Sequence, residues 1–109
     1  MNADREWRDV AGVERIPIGA LIGVEVAGEA VVLCNPDGRL HAIEDCCSHD
    51  GGDLSSGRLA GGEIVCPRHG ARFDVRTGRA LGPPAYEDIR VVPVRVLGDR
   101  VQIGIAARG

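Results

Sequence analysis

Two short clusters of metal-ligating residues constrain this chain more than any other feature of its sequence. The first cluster supplies Cys47 and His49, the second supplies Cys66 and His69, and sixteen residues lie between them. A cysteine and a histidine two or three residues apart can bind one metal centre from a single tight loop, and the intervening residues are long enough to bring the second loop opposite the first. The spacing therefore predicts a metal site with two thiolate and two imidazole ligands.

Two kinds of metal centre fit this ligand set. One is a structural zinc site with tetrahedral Cys2His2 ligation. The other is a two-iron, two-sulfide cluster in which two cysteines hold one iron and two histidines hold the other, so that each loop gives one ligand to each iron. Zinc signatures pair Cys with Cys and His with His, whereas each loop here is mixed, and this departure favours the iron cluster.

Two further cysteines and one further histidine could also be metal ligands. Cys46 lies three residues before His49, which is the spacing found in the second loop, so spacing alone leaves Cys46 as an alternative to Cys47. Cys34 lies inside a predicted strand, and we expect it to be a core residue. His41 stands apart from both clusters, and we expect it to be a solvent-facing or hydrogen-bonded histidine rather than a ligand.

Composition bounds the size of the fold and the class of partner. The chain has 109 residues and 44% hydrophobic content, which predicts one domain over residues 1–109. The net charge is -3, with neither a basic balance nor aromatic platforms along a basic stripe, and this excludes nucleic acid as a partner. The polar N-terminus shows no signal peptide or membrane anchor, so we expect a cytoplasmic protein with reduced thiols and no membrane partner.

The apolar residues are distributed as in strands rather than helices. Only three residues are aromatic, so the core must be built from Val, Ile, Leu and Ala, a mixture that suits sheets. No stretch carries a sustained helical stripe, which predicts an all-β fold. Alternating or short apolar runs predict strands at residues 7–10, 21–26, 30–34, 39–44, 54–59, 63–65, 70–75, 89–97 and 100–105, with a turn at 35–38.

The ligand pattern Cys47-x-His49 and Cys66-x2-His69 resembles the Rieske iron-sulfur family. Small Rieske-type ferredoxins carry similar residues at further positions of this chain, namely Gly51, Leu54, Gly57, Gly70, Phe73, Asp74, Thr77 and Gly78. The likeness covers most of the chain. It implies that these two cysteines and two histidines bind a Rieske 2Fe-2S cluster, and that Cys46 is a small packing residue, since the family's first loop has one residue between its ligands.

The resemblance also implies an architecture. We expect a Rieske-like antiparallel β-sandwich or barrel, with a small inserted cluster-binding subdomain at about residues 45–84. A Pro-containing loop at residues 82–84 is expected to cover the cluster. The imidazole edges should lie near the surface, in a docking face that includes Arg68, Pro83 and the loop at residues 51–52.

The same resemblance implies a function in electron transfer. No second active site is visible, since the chain has no paired histidines and carboxylate for a mononuclear iron and no phosphate loop, so we expect no catalytic residues. We expect a soluble, monomeric ferredoxin that takes single electrons from a flavin-dependent ferredoxin reductase and passes them to a terminal non-haem iron oxygenase. Two alternatives stay open: the small subunit of an assimilatory nitrite reductase, and a zinc-stabilised binding module without redox activity.

The resemblance finally predicts a low reduction potential within the family. High-potential members carry a disulfide between two positions that are Gly52 and Arg68 here, and hydroxyl donors to sulfur at two positions that are Ala71 and Phe73 here. Hydrogen bonds to sulfur stabilise the extra negative charge of a reduced cluster. Their absence predicts a potential nearer about -150 mV than +300 mV.

Overall fold

The computed structural model describes residues 5–48 and 51–106, in which the regular elements are β-strands and two single 3-10 turns. This confirms the prediction of an all-β fold. The strands are β1 Arg5–Gly12, β2 Leu21–Val26, β3 Glu29–Cys34, β4 His41–Glu44, β5 Arg58–Ala60, β6 Glu63–Val65, β7 Arg72–Asp74, β8 Val91–Val92, β9 Val94–Leu97 and β10 Arg100–Ala106. The 3-10 turns are Val13–Arg15 and Leu54–Ser56. None of the described segments is a helix long and apolar enough to cross a membrane.

The strands form three antiparallel sheets. The outer sheet has the order β1-β10-β9, the central sheet β2-β3-β4-β8, and the lobe sheet β5-β6-β7. The lobe sheet is formed by residues that lie between β4 and β8 in the chain. The segment between these two strands therefore builds a separate lobe on the central sheet.

The two faces of the central sheet pack against different cores, and β3 shows this most clearly. Val31 and Leu33 are fully buried in a core shared with Val101 and Ile103 of the outer sheet, which we call the outer core. Their neighbours along the strand point to the opposite face. That face lies in the lobe core, whose buried members are Val32, Cys34, Ile43, Cys47, Leu54, Ile64, Cys66, Ala71, Phe73, Val75, Ala85 and Ile89.

The strand predicted at residues 89–97 is in fact two strands that belong to different sheets. β8 pairs with β4 in the central sheet, whereas β9 pairs with β10 in the outer sheet. Pro93 lies between them, and because proline has no N–H to donate, the ladder cannot continue through it. The carbonyl of Pro93 accepts the N–H of Gly104 at 2.9 Å, which joins the two sheets where the chain crosses.

The strand predicted at residues 54–59 was wrong in its first half, because Leu54–Ser56 is a 3-10 turn. The N–H of Ser55 donates to a carboxylate oxygen of Asp45 at 2.9 Å, and the N–H of Gly57 donates to the carbonyl of Leu54 at 2.9 Å. These bonds satisfy the backbone locally, so no neighbouring strand is needed. The Leu54 side chain is fully buried in the lobe core.

Candidate metal centre

The first ligand loop follows β4 and is closed by two backbone hydrogen bonds around Cys47. The Cys47 N–H donates to the carbonyl of Gly52 at 2.8 Å, and its carbonyl accepts the N–H of Gly51 at 2.7 Å. Gly51 has a φ of +76°, a left-handed conformation that glycine adopts without steric cost. The chain therefore leaves Cys47 and returns to it within five residues.

The second ligand loop joins β6 to β7 and has the same closure around Cys66. The Cys66 N–H donates to the carbonyl of Ala71 at 2.8 Å, and its carbonyl accepts the N–H of Gly70 at 3.1 Å. Gly70 has a φ of +75°, as Gly51 has +76° in the first loop. Both loops therefore hold a cysteine at the base of the same backbone turn, although their sequences differ.

The two loops place thiols inside the protein and an imidazole outside it. Cys47 and Cys66 are each 1% exposed and pack in the lobe core, whereas His69 is exposed at the surface. His49, the fourth predicted ligand, lies outside the described residues. Among the residues that the structure does describe, no group of three or more His, Cys, Asp and Glu side chains could hold a metal ion.

The donor chemistry fits an iron-sulfur cluster. Soft thiolates together with imidazole suit both zinc and iron-sulfur centres. In a two-iron centre with two cysteines on one iron and two histidines on the other, one side would face the interior and the other would face solvent. The buried cysteines and the exposed His69 provide that asymmetry.

The remaining cysteines differ from the two in the loops. Cys34 is fully buried, its Sγ donates to the carbonyl of His41 at 3.6 Å, and burial raises its pKa to about 12, which confirms it as a core residue. Cys46 is exposed, so the prediction that it packs was wrong. Adjacent residues of an extended segment point to opposite sides, and Cys47 takes the inward side. All cysteines lie in the described residues, and no disulfide joins them.

His41 lies at the edge of the face of the central sheet that the lobe covers. Its side chain is half-buried in a cleft of about 540 Å³ that is also lined by Asp37, Arg39 and Arg76. Burial lowers the pKa of His41, and the positive charges of Arg76 and Arg39 lower it further, while Asp37 raises it. The net lowering of the pKa disfavours the protonated form of His41.

A contact that the sequence did not indicate joins the first ligand loop to the segment after the Pro residues. The hydroxyl of Ser48 donates to the carbonyl of Glu87 at 2.5 Å across 39 positions of sequence. Gly82 and Ala85 pair in an isolated antiparallel bridge around a cis Pro83–Pro84 bond. No local pattern predicts such a contact, because it depends on where two distant loops meet.

The surface next to the loops has the exposure expected of a docking face. Arg68 and Pro83 are exposed, as is Gly51, while Gly52 is half-buried. Exposed charges of both signs lie near these residues in sequence, including Asp53. The face is therefore open to a partner without a strong charge of one sign.

Comparison with known proteins gives a consistent set of similarities. A family model described as the Rieske [2Fe-2S] domain matches residues 6–93. The ferredoxin component of the naphthalene 1,2-dioxygenase system of Pseudomonas aeruginosa is 40% identical over 101 residues, covering 93% of this chain and 97% of that protein.

Solved structures show the same likeness. The ferredoxin of carbazole 1,9a-dioxygenase from Nocardioides aromaticivorans IC177 superposes with a TM-score of 0.85 and 30% identity, over 89% of this chain and 95% of that one. A chain in a complex of reduced oxygenase and oxidized ferredoxin in carbazole 1,9a-dioxygenase superposes with a TM-score of 0.84 and 30% identity, over 89% and 91% of the two chains.

Proposed function

The chain belongs to the Rieske [2Fe-2S] domain family, and we propose that it is an electron carrier of a multicomponent oxygenase system. In this proposal it takes single electrons from a flavin-dependent ferredoxin reductase and delivers them to a terminal non-haem iron oxygenase. It works as a monomer in the cytoplasm. The relatives that this chain matches over nearly their whole length are ferredoxin components of dioxygenase systems, which supports a carrier without catalytic residues of its own.

The proposed ligands are Cys47, His49, Cys66 and His69. The observation that carries this assignment is the matched closure of the two loops, which buries one cysteine in each and leaves His69 exposed. A cluster bound there supplies one-electron redox chemistry at a potential that hydrogen bonding and solvent exposure tune.

Residues about 45–84 form the cluster-binding subdomain within a single domain of residues 1–109. The position of the lobe sheet supports this division, because β5, β6 and β7 lie between β4 and β8 in the chain. The lobe core excludes water from the cysteines, while the surface position of His69 gives a partner close access to the centre.

The surface around His69 is the proposed docking face, and Arg68, Pro83 and the loop at residues 51–52 belong to it. Arg72 nearby is already paired with Glu63 at 3.2 Å. Because this face carries charges of both signs, we expect salt to change the encounter rate only modestly. A steep salt dependence would assign docking to a charged patch elsewhere on the molecule.

The first test measures the metal and sulfide content of the protein. The purified protein should contain iron and acid-labile sulfide at about two each per chain. Zinc without sulfide would instead identify a structural zinc module. The reduced protein should then be reoxidised by the oxygenase of a naphthalene or carbazole system. In gel filtration of an extract of its native source, it should elute separately from larger enzymes. Permanent co-elution with a larger enzyme would identify a fixed subunit such as that of a nitrite reductase.

A further inference from the structure

An exposed apolar patch lies at the end of the segment that contains Pro83 and Pro84. Tyr86 is 81% exposed and Leu81 is 44% exposed, although the chain has only three aromatic residues. They flank the isolated bridge between Gly82 and Ala85, one on each arm. We call this pair, with the exposed Pro83 at the tip, the apolar knob.

Hydrogen bonds to the lobe fix both arms of the knob. On one arm, the N–H of Leu81 donates to the carbonyl of Arg72 at 3.0 Å. On the other arm, the carbonyl of Glu87 accepts the hydroxyl of Ser48 at 2.5 Å. A carboxylate oxygen of Asp88 also accepts the N–H of Ala80 at 2.9 Å, which ties the two arms together. Because the backbone on both sides of Tyr86 is already ordered, a partner that binds there orders little more than the side chain.

The knob lies next to the proposed cluster site. Ser48 stands between Cys47 and His49 in the chain, and its hydroxyl contacts the residue that follows Tyr86. Consecutive Cα atoms are about 3.8 Å apart, so the Cα atom of Tyr86 lies about 3.8 Å from that of Glu87, whose carbonyl makes this contact. The knob and the first ligand loop are therefore neighbours on the surface.

We propose that Tyr86 and Leu81 insert into an apolar recess on the electron acceptor, and that Tyr86 determines how tightly the acceptor binds. This inference rests on the proposed function. Buried aromatic anchors carry a large part of the binding energy of protein interfaces. Because the exposed Glu87 and Asp88 follow Tyr86, the recess that fits this knob has a cationic group at its rim.

The experiment measures reoxidation of the reduced, cluster-loaded protein by an oxygenase in stopped flow, over a range of oxygenase concentrations. Two oxygenases are tried, those of naphthalene 1,2-dioxygenase from Pseudomonas aeruginosa and carbazole 1,9a-dioxygenase from Nocardioides aromaticivorans IC177. The variants are then compared with the oxygenase that reoxidises the wild-type protein faster. The variants are Tyr86→Ala, Tyr86→Phe and, as a matched control, Leu97→Ala. Leu97 is 50% exposed but lies on the outer sheet, away from the lobe.

We expect Tyr86→Ala to lower the second-order rate constant about tenfold, with the rate at saturating oxygenase and the midpoint potential unchanged. Tyr86→Phe keeps the ring and restores most of the lost rate. Leu97→Ala behaves as wild type. Unchanged visible and electron paramagnetic resonance spectra establish that each variant is folded and loaded.

Three results would overturn the inference while leaving the carrier function intact. They are a wild-type rate constant in Tyr86→Ala, an equal loss in Leu97→Ala, and a loss confined to reduction by the flavin reductase. Self-association of wild-type protein that Tyr86→Ala abolishes would assign the knob to a second copy of this chain. If neither oxygenase reoxidises the wild-type protein, the proposed function itself fails, and this inference fails with it.

Discussion

The outer core and the lobe core are stabilised in different ways. Strands of six to eight residues enclose the outer core, among them β1, β2 and β10, and its buried residues are aliphatic. The lobe sheet has three strands of three residues each, and the lobe core includes three cysteines, Cys47 and Cys66 among them, and the aromatic ring of Phe73. Long ladders can hold the first region without help, whereas we expect the second to depend on the cluster proposed to bind Cys47 and Cys66.

This difference indicates which region of the protein should lose stability when the cluster is lost. Because the proposed ligands Cys47 and Cys66 are part of the lobe core, loss of a cluster bound to them would remove a crosslink between two loops of that core. The outer core contains neither ligand loop. We therefore expect the lobe to loosen before the sandwich of outer and central sheets unfolds.

The largest expected effect is loss of the cluster, which should change the lobe and leave the outer core intact. Cys66→Ser should abolish the visible spectrum and the bound iron, since it removes a proposed ligand. Cys46→Ser should leave both intact, because Cys46 is exposed and points away from the core. Hydrogen exchange of Cys66→Ser should show lost protection in β5, β6 and β7 with protection kept in β2 and β3. Loss of the chromophore in Cys46→Ser, with retention in Cys47→Ser, would reverse the ligand assignment.

The second prediction tests a close backbone contact within the lobe, between Gly78 and the segment that leads into β8. A Cβ atom added to Gly78 would lie 2.1 Å from the carbonyl oxygen of Ile89, and Gly78 has a φ of +78°. Gly78→Ala should therefore cost more than about 2 kcal/mol of unfolding free energy, because both strain and the lost approach to Ile89 contribute. Gly61→Ala, at a φ of +62° with nothing within 4 Å, should cost only about 1 kcal/mol.

Urea denaturation of the two alanine variants gives the comparison directly. Equal losses in Gly78→Ala and Gly61→Ala would show that backbone conformation alone decides the cost and that the contact with Ile89 contributes nothing.

The third prediction concerns the reduction potential, which only the lobe should control. Ala71 and Phe73 are fully buried beside the second ligand loop, and neither carries a hydroxyl. Ala71→Ser with Phe73→Tyr should raise the midpoint potential by about 60 mV or more if the hydroxyls donate to sulfur, since about 1.4 kcal/mol corresponds to 59 mV in a one-electron couple. Ala42→Ser adds the same hydroxyl to the outer core and should leave the potential unchanged.

Protein-film voltammetry of these variants decides the matter. A wild-type potential well above zero would show that backbone amides or solvent access outweigh the two missing donors.

The smallest expected effect lies at the boundary between the regions. Burial lowers the pKa of His41, so between the unfolded value of about 6.5 and the lower folded value the unfolded chain binds more protons. The stability that His41 contributes is complete above about pH 6.5 and is lost as the pH falls below it. Solvent screening of this half-buried group keeps the change below about 1 kcal/mol.

Urea midpoints at pH 7.5 and 5.5 measure this effect, and His41→Gln should reduce the difference between them. Asp37, Asp74, Arg39 and Arg76 all act on His41, so an unchanged difference in the variant would mean that these neighbours, rather than the imidazole, set the pH dependence.

The sequence predicted the strands of the outer and central sheets better than those of the lobe, and the reason is physical. Strand β2 matches its predicted range because its residues pair along a long ladder. Pro93 was a visible signal that residues 89–97 could not remain one strand. In the lobe, Leu54–Ser56 forms a 3-10 turn because a side chain ten residues away accepts its N–H, and no local pattern encodes that bond.

The candidate site shows the same division. Spacing and resemblance identified Cys47 and Cys66, and the structure places both in one core. The bond from Ser48 to Glu87 was missed because it depends on how distant loops meet. The outward position of Cys46 was missed although it follows from the inward position of its neighbour Cys47. Local chemistry can be predicted from residue types, whereas the fit between loops requires the folded chain.

The burial of β3 on both faces has a consequence for the unfolded chain. Val31, Val32, Leu33 and Cys34 form an uncharged run with strong β propensity, and the fold leaves none of them exposed. Before they are buried, such runs are prone to pair with copies of themselves and aggregate. Glu29 near the start of the run and Pro36 beyond its end oppose that pairing. Low protein concentration during refolding should therefore raise the yield.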